Sequence, residues 1–217
     1  MSKAVRLAAK FLAFSLVGGA AGVGTFVYIT RKSRFVPFAL AADAIFTSAH
    51  FKKFNPNQNV PGLHDLCVRR VPLDKIKPEL LKEEGKLVEN FCAGVWSGFG
   101  YSIQRRYLER KYRSPETAGQ LWDKPELAAS MYPLGTQITD HFEVISHTPT
   151  TIAVRCGDSP RNGGVRASDG VFEMSVEVKE AEGVADEPGK GIPPMIAMAH
   201  RWYTKLWMES ALRNVLK

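Results

Sequence analysis

The chain is poor in cysteine and has none at a spacing that suits a metal site. Its three cysteines, Cys67, Cys92 and Cys156, stand far apart, with no Cys-x-x-Cys pair. This spacing excludes a disulfide framework and the common zinc motifs, so we expect reduced thiols facing a cytosol-like compartment. A paired-histidine metal motif, a Ser-His-Asp set and a glycine-rich phosphate loop are also not visible. We therefore expect no metal and no cofactor.

Acidic residues are missing from the first 42 positions, which hold six of the 29 lysines and arginines. The formal net charge of +7 therefore belongs mainly to the N-terminus, because the remaining 23 basic residues face 22 acidic ones. A nearly neutral remainder lacks the positive surface that follows the phosphates of a nucleic acid. We expect no nucleic-acid partner.

The longest stretch without a charged residue runs from Phe11 to Thr30. Twenty helical residues reach about 30 Å, which is the hydrocarbon thickness of a bilayer. The pattern predicts a membrane-spanning helix, with residues 1–34 as an N-terminal membrane anchor or targeting segment. Basic residues flank the stretch on both sides: Lys3, Arg6 and Lys10 before it, and Arg31, Lys32 and Arg34 after it.

The destination of this segment stays open. The stretch is longer than the core of a secretory signal, and basic residues follow it where cleavage would occur, which favours a retained single-pass anchor. An acid-free start with Arg, Lys, Ala and Ser is also typical of a mitochondrial address. The endoplasmic reticulum and the mitochondrion are both candidates. Gly18-x-x-x-Gly22 has the spacing of a helix-packing motif and would serve a homodimer, unless these are ordinary glycines of a span.

The rest of the chain divides into a linker and one domain. Residues 35–62 contain Pro37, Pro56 and Pro61 with three asparagines, which predicts a linker with a short helical turn over 39–51. Residues 63–217 form a domain of ordinary size. Its apolar periodicity predicts antiparallel strands at 66–71, 137–145, 152–156 and 171–178, and helices at 78–90, 91–112 and 195–216, with a loop at 180–194.

The helix predicted over 91–112 ends in a basic cluster. Cations at the C-terminus of a helix complement its dipole, and near an anchor they also meet anionic lipid. Both interpretations stay open. The cluster consists of Arg105, Arg106, Arg110, Lys111 and Arg113.

Strands followed by a long terminal helix resemble the helix-grip architecture of START-like and polyketide-cyclase-like proteins. Residues 135–144 (Gly-Thr-Gln-Ile-Thr-Asp-His-Phe-Glu-Val) and 200–203 (His-Arg-Trp-Tyr) are similar to a group of uncharacterised filamentous-fungal proteins that also begin with a hydrophobic helix. The resemblance implies an α+β fold in which a curved antiparallel sheet is gripped by the C-terminal helix, with an apolar cavity between them. A helix-grip sheet has six or seven strands, whereas four are predicted here, so the expected sheet is smaller or partly open.

Three residues are candidates for acid–base catalysis. By strand parity, Asp140 lies on the core face with Phe142, where burial would suit it to be a general acid or base. The alternatives are an ion pair with an arginine, or a bulge that turns it outward. His141 falls on the opposite, solvent-facing side. His200 and Tyr203 share one face of the terminal helix and would present a proton donor to a cavity, unless they are the polar tip of a packed helix.

Apolar and charged side chains complete the predicted site. Aromatic residues on two helices and two strands would line an apolar cavity, or else form plain core. Charged residues around the loop after the third strand would form a pocket rim, or else ion pairs that order the loop. The ligand-binding candidates are Trp96, Phe99, Phe142, Phe172, Met174, Trp202 and Trp207, and the rim candidates are Arg155, Asp158 and Arg161.

Three functions are compatible with these features. The first is a membrane-tethered, cofactor-independent cyclase-like enzyme acting on an apolar specialised metabolite of polyketide or terpenoid type in a fungal pathway. It would hold a flexible chain in a reactive conformer. The second is a non-catalytic protein that binds a lipid or metabolite at a membrane, and the third is an interaction protein without a cavity. A hydrophobic small molecule is the expected partner of the first two, which both need a hollow between the terminal helix and the sheet.

Overall fold

The chain has an α+β fold with antiparallel sheets and a C-terminal helix. The computed structural model describes residues 22–36, 44–58, 62, 64–162, 169–178 and 195–217. The helices are α1 (22–30), α2 (Ala44–Thr47), α3 (Ala49–Phe54), α4 (Lys86–Ser97), α5 (Ser102–Tyr112), α6 (Lys124–Ala129) and α7 (Met195–Val215). The strands are β1 (Arg34–Val36), β2 (Leu66–Val68), β3 (Gln137–Ile138), β4 (Phe142–His147), β5 (Thr151–Gly157) and β6 (Asp169–Ser175).

Strands β3 to β6 form a four-stranded meander in which each strand pairs antiparallel with the next. The strands predicted at 152–156 and 171–178 are confirmed with shifted bounds, as β5 and β6. The strand predicted at 137–145 is divided into β3 and β4, because Thr139 and Asp140 turn the chain with φ of 47° and 70°. The remaining predicted strand, at 66–71, is present only as the shorter β2. It pairs with β1 in a separate two-stranded ribbon.

The long helix predicted over 91–112 is two helices, because glycines at the break and in the last turn of α4 before it fit closely against α7. A Cβ atom on Gly94 would lie 2.7 Å from the Cα of Ala211, and one on Gly100 would lie 2.8 Å from the carbonyl oxygen of Leu206. The amide of Gly100 donates to the Ser210 hydroxyl at 2.8 Å. The chain therefore leaves α4 at Gly98 and begins α5 at Ser102, while α4 and α7 approach backbone to backbone.

The helix predicted over 78–90 is also shorter than expected. Pro78–Leu81 form a single 3-10 turn, and Gly85 has a φ of +85°. A left-handed residue is compatible with a turn and not with a continuous helix, so α4 begins only at Lys86. The predicted terminal helix, 195–216, is confirmed as α7.

The core lies where α4 meets α7 on one side and the sheet on the other. Helix α4 buries Val88, Cys92, Val95 and Trp96, and it contacts β5 and β6 as well as α7. Cys156 is half-buried beside this core. Helix α7 therefore packs mainly on another helix and reaches the sheet through the side chain of Trp207.

The folded domain begins earlier than the predicted linker allows. Thr30 and Ser33 are buried, and residues 34–36 are a strand rather than linker. Helices α2 and α3 account for part of the helical turn predicted over 39–51. No described helix is both long and apolar enough to cross a membrane. Most of the predicted span, including Gly18, lies outside the described residues, as does the loop at 180–194.

Candidate functional site

Six rings meet where the cavity is predicted. This aromatic cluster joins α4, α7 and two strands, and Trp96 is at its centre, 4.9 Å from the ring centres of Tyr101 and Phe142 and 5.4 Å from Trp207. Most of the ring pairs are edge-to-face, the arrangement that aromatic quadrupoles favour. The cluster consists of Trp96, Tyr101, Phe142, Phe172, Tyr203 and Trp207.

These rings occupy the space in which a ligand is expected. Trp96 is 1% exposed and Tyr101 is 0% exposed, and Met174 is buried in the same core. Two cavities of the described residues lie elsewhere, on the surface, with volumes of about 400 and 220 Å³. The larger one is beside β3 and is lined by Gly119, Leu121, Ser130, Pro133, Gly135, Thr136 and Gln137.

Two of the predicted ligand-binding residues stand apart from the cluster. Phe99 lies beneath the Arg213 guanidinium, 4.5 Å from its ring centre, at the break between α4 and α5. Trp202 is 48% exposed, and its ring centre lies 5.5 Å from that of Phe26 on α1. The other five, Trp96, Phe142, Phe172, Met174 and Trp207, lie together in the core.

Asp140 is buried, but for a different reason from the one expected. It sits in the left-handed turn between β3 and β4 rather than within a strand, so strand parity does not apply to it. Its side chain is 0% exposed, and one carboxylate oxygen accepts a hydrogen bond from Arg161 Nε at 2.8 Å. The ion pair with an arginine, the alternative interpretation of Asp140, is confirmed.

Arg161 connects this turn to the end of α5. Its guanidinium also donates to the carbonyl oxygen of Tyr112 at 2.9 Å and to Ser114 Oγ at 3.2 Å. His141, predicted at the surface, is instead largely covered, with its ring centre 4.4 Å from that of Tyr112. Arg161 and Asp140 thus hold three segments of backbone together, which is a structural arrangement rather than an open acid–base site.

The three predicted catalytic residues lie in three different environments. Tyr203 donates a hydrogen bond to Gln104 Oε1 at 2.6 Å, and burial raises the pKa of Tyr203 to about 12. His200 is exposed on the first half of α7, with Nε2 3.7 Å from a carboxylate oxygen of Asp65. Asp140 contacts neither of them in the described contacts.

Two of the three predicted rim residues, Arg155 and Arg161, form ion pairs at separate places. Arg155 makes a two-pronged pair with Asp169 across β5 and β6, at 3.0 and 2.5 Å, and its guanidinium lies 3.8 Å from the centre of the Phe54 ring. Asp158 follows the end of β5. Arg155 and Arg161 are thus in ion pairs, and the ordering of the loop by such pairs stays a prediction.

The ribbon of β1 and β2 carries a site that the sequence interpretation missed. Its outer face, with the turn before it, forms the 220 Å³ cavity, which we call the basic hollow. The signal in the sequence is a cation and a valine two residues apart, Arg34 and Val36 in β1 and again Val68 and Arg70 at the end of β2, but residues 35–62 are predicted as linker. The basic hollow is lined by Arg31, Lys32, Arg34, Val36, Val68 and Arg70.

The inner face of the ribbon is fixed to α7. Arg69 pairs with Glu209 at 3.2 Å, and the hydroxyl of Ser33 donates to the same carboxylate at 2.8 Å. The Arg201 guanidinium lies 5.0 Å from the centre of the Phe35 ring. Burial raises the pKa of the Cys67 thiol to about 11, so that the thiol stays protonated and unreactive at neutral pH. The ribbon is therefore part of the folded domain.

Comparison with known proteins gives no relative, since no protein-family model, no curated protein and no solved structure matches the chain. Within the described ranges, no group of three or more His, Cys, Asp and Glu side chains is placed to hold a metal ion.

Proposed function

We propose that this chain is a non-catalytic, single-pass membrane protein whose folded domain rests directly on the bilayer surface and binds a ligand there. The observation that carries the proposal is the junction between α1 and the domain. Helix α1 contacts α7 through Phe26 and Trp202, and the buried Thr30 and Ser33 follow within the same fold. No flexible spacer separates a span that ends at Thr30 from the ribbon.

Around this junction, apolar side chains are followed by aromatic and then by basic ones, which is the order found where a helix leaves a membrane. Val23 and Val27 on α1 are exposed apolar residues, as expected of a lipid-facing helix. Tyr28 stacks with Arg31, whose guanidinium lies 4.0 Å from the ring centre, and the half-exposed Trp202 stands about one turn from the end of α1. Tryptophan and tyrosine concentrate at the level of the lipid headgroups, with basic residues beyond them.

The interior supports a binding role more than an enzymatic one. Among the described residues, the filled aromatic cluster leaves no chamber in which a polyketide or terpenoid would fold, and Asp140 is paired with Arg161. Tyr203, with a pKa of about 12, is no base at neutral pH. The interfacial location in the endoplasmic reticulum or the mitochondrion stays a prediction.

The cyclase-like enzyme implied by the helix-grip resemblance is the second candidate. The observation in its favour is Asp140, a fully buried carboxylate beside the largely covered His141. Incubating the full chain with candidate apolar intermediates tests it. Turnover that disappears in Asp140→Asn, with the fold retained, would support the enzyme and contradict the non-catalytic proposal.

Extraction of membranes at alkaline pH tests the membrane proposal. Full chain expressed in a fungal host should stay with the membrane pellet after sodium carbonate treatment and enter solution only with detergent. Release by carbonate would show a peripheral or soluble protein and would contradict the proposal.

A further inference from the structure

One face of α5 is exposed and combines apolar with basic side chains. Residues three and four apart share one side of a helix, and this spacing joins four residues that we call the α5 face: Ile103, Arg106, Tyr107 and Arg110. Ile103 is 81% exposed and Tyr107 is 58% exposed, and both arginines are exposed as well. Leu108, on the other side of the helix, is buried. Helix α5 is therefore held to the domain by one side and presents the α5 face outward.

The charge of the α5 face is not neutralised by the described part of the chain. Glu109 is the acidic residue of α5, and it pairs with Arg105 at 3.3 Å and with Arg113 at 2.8 Å. These pairs account for two members of the basic cluster that the sequence predicts. Among the described side chains, no carboxylate is paired with Arg106 or Arg110. Both guanidinium groups are therefore open to an external anion.

The α5 face begins close to the junction with α1. Tyr203 of α7 donates a hydrogen bond to Oε1 of Gln104 at 2.6 Å, and Gln104 is the residue next to Ile103. The neighbouring Trp202 contacts Phe26 of α1. The far end of α7 lies about 20 Å further along the helix, at 1.5 Å per residue. The first turn of α5 is therefore at the end of the domain that α1 contacts.

We infer that the α5 face is a second membrane contact, which binds the headgroups of anionic phospholipids. The inference rests on the proposed function, and it names the ligand that the domain binds at the bilayer surface. Arginine presents a planar fork of N–H donors that matches the oxygens of a phosphate. Basic side chains beside exposed apolar and aromatic ones are typical of helices that lie in the plane of the membrane interface.

The shape of the α5 face favours a lipid surface over a small molecule. The two surface cavities of the described residues are lined by other parts of the chain, and a helix side that faces outward is convex. A layer of headgroups adapts to such a surface, because each lipid moves independently to meet a cation. The apolar side chains of Ile103 and Tyr107 would then enter the layer between the headgroups.

The experiment uses the full chain in lipid nanodiscs at about 0.15 M salt, where screening weakens diffuse surface charge. One set of discs contains phosphatidylcholine alone, and the other contains phosphatidylcholine with phosphatidylglycerol, which is anionic. Ile103→Trp introduces a reporter, whose quenching by lipids brominated near the headgroup is measured in both sets. Leu73→Trp is the position control, because Leu73 is 49% exposed in the 3-10 turn that meets the far end of α7.

The charge variants are made in the Ile103→Trp chain. A cation beside an anionic membrane contributes about 1 kcal/mol, or roughly fivefold in affinity. We therefore expect Arg106→Gln and Arg110→Gln each to lower the ratio of quenched to unquenched reporter about fivefold, and the double variant about 25-fold. The matched control, Lys82→Gln with Lys217→Gln, removes two exposed cations elsewhere in the domain and should change the ratio less than about twofold. Circular dichroism should be unchanged in all variants.

Quenching at position 103 that needs phosphatidylglycerol and both arginines supports the inference. Equal quenching in the two lipid mixtures, equal quenching at position 73, or an equal loss in the lysine control would overturn it. An unquenched position 103 in a chain whose Trp202 is quenched would also overturn it, while the membrane proposal would stand and an acidic protein would become the expected partner of the α5 face. A chain that does not enter the discs would contradict the proposed function and the inference together, so the two failures are distinguishable.

Discussion

The aromatic cluster and the basic hollow show two opposite uses of neighbouring parts of α7. On one side, Trp207 and Tyr203 fill a joint between helices and sheet with rings in direct contact. On another, Glu209 holds a short ribbon whose far face lines the basic hollow. The residues with the richest chemistry in the sequence therefore stabilise the fold, while the open cavity belongs to arginines and valines. Aromatic density alone is a poor guide to a ligand site.

The strongest way to break this comparison is to remove the centre of the cluster. Trp96→Ala deletes a ring that is 1% exposed and should lower the free energy of unfolding by about 3–5 kcal/mol, the usual cost of a large cavity. Urea denaturation of the full chain in micelles measures it. Trp202→Ala, which removes a half-exposed ring, is the control and should cost less than about 1 kcal/mol. Equal losses would show that the cluster is not a filled core.

The close approach of α4 and α7 gives the next effect. Gly94→Ala places a Cβ 2.7 Å from the Cα of Ala211, and we expect a loss of roughly 1–3 kcal/mol from overpacking. Gly119→Ala is the matched control, because a Cβ there meets nothing within 4 Å. The melting temperatures of both variants should be compared with that of the original chain. If Gly94→Ala is neutral, the helices have room to separate and a ligand space becomes plausible again.

The buried ion pair is expected to have a moderate effect on stability. Asp140→Asn removes the charge that faces Arg161, and we expect a loss of about 1.5 kcal/mol, at the low end for a charged hydrogen bond, because the Arg161 side chain is 38% exposed. Arg161→Gln should cost a similar amount, and the double variant less than the sum of the two. Asp74→Asn, in an exposed pair with Lys75, is the control. Strict additivity would contradict the direct pairing.

The smallest expected effect is on the pH dependence of stability. Because the pKa of Tyr203 is raised to about 12 by burial, the unfolded chain loses this proton first as the pH rises above about 10. The contribution of Tyr203 is therefore complete below pH 10 and is lost as the pH approaches about 12. Denaturation at pH 9, 10 and 11 should show a shallower decline in Tyr203→Phe. An identical decline in both chains would show that Tyr203 is not desolvated.

Local patterns in the sequence identify much of this fold. Alternation of apolar residues marks β5 and β6 because each has one buried face, and helical spacing marks α7. The burial of Trp96, Phe142 and Met174 follows from the same patterns. These elements can be predicted because a residue and its near neighbours in sequence are enough to indicate the secondary structure and the buried face.

The remaining features depend on partners far along the chain. The break after α4 exists because Gly98 and Gly100 meet α7 more than a hundred residues later. The turn at Asp140 is favoured by Arg161, and β1 is three residues long and becomes a strand only by pairing with β2. The basic hollow was missed for the same reason, since its cations come from two segments that the composition assigns to an anchor and to a domain.

Fluorescence quenching by brominated lipids tests most directly whether the domain rests on the bilayer. Of the four tryptophans, Trp96 and Trp122 are buried in the core, Trp207 is in the aromatic cluster, and Trp202 alone adjoins α1. In vesicles containing the full chain, lipids brominated near the headgroup should quench part of the emission, and Trp202→Phe should lose that part. Quenching that is absent, or that is unchanged in Trp202→Phe, would contradict the proposed placement of the domain.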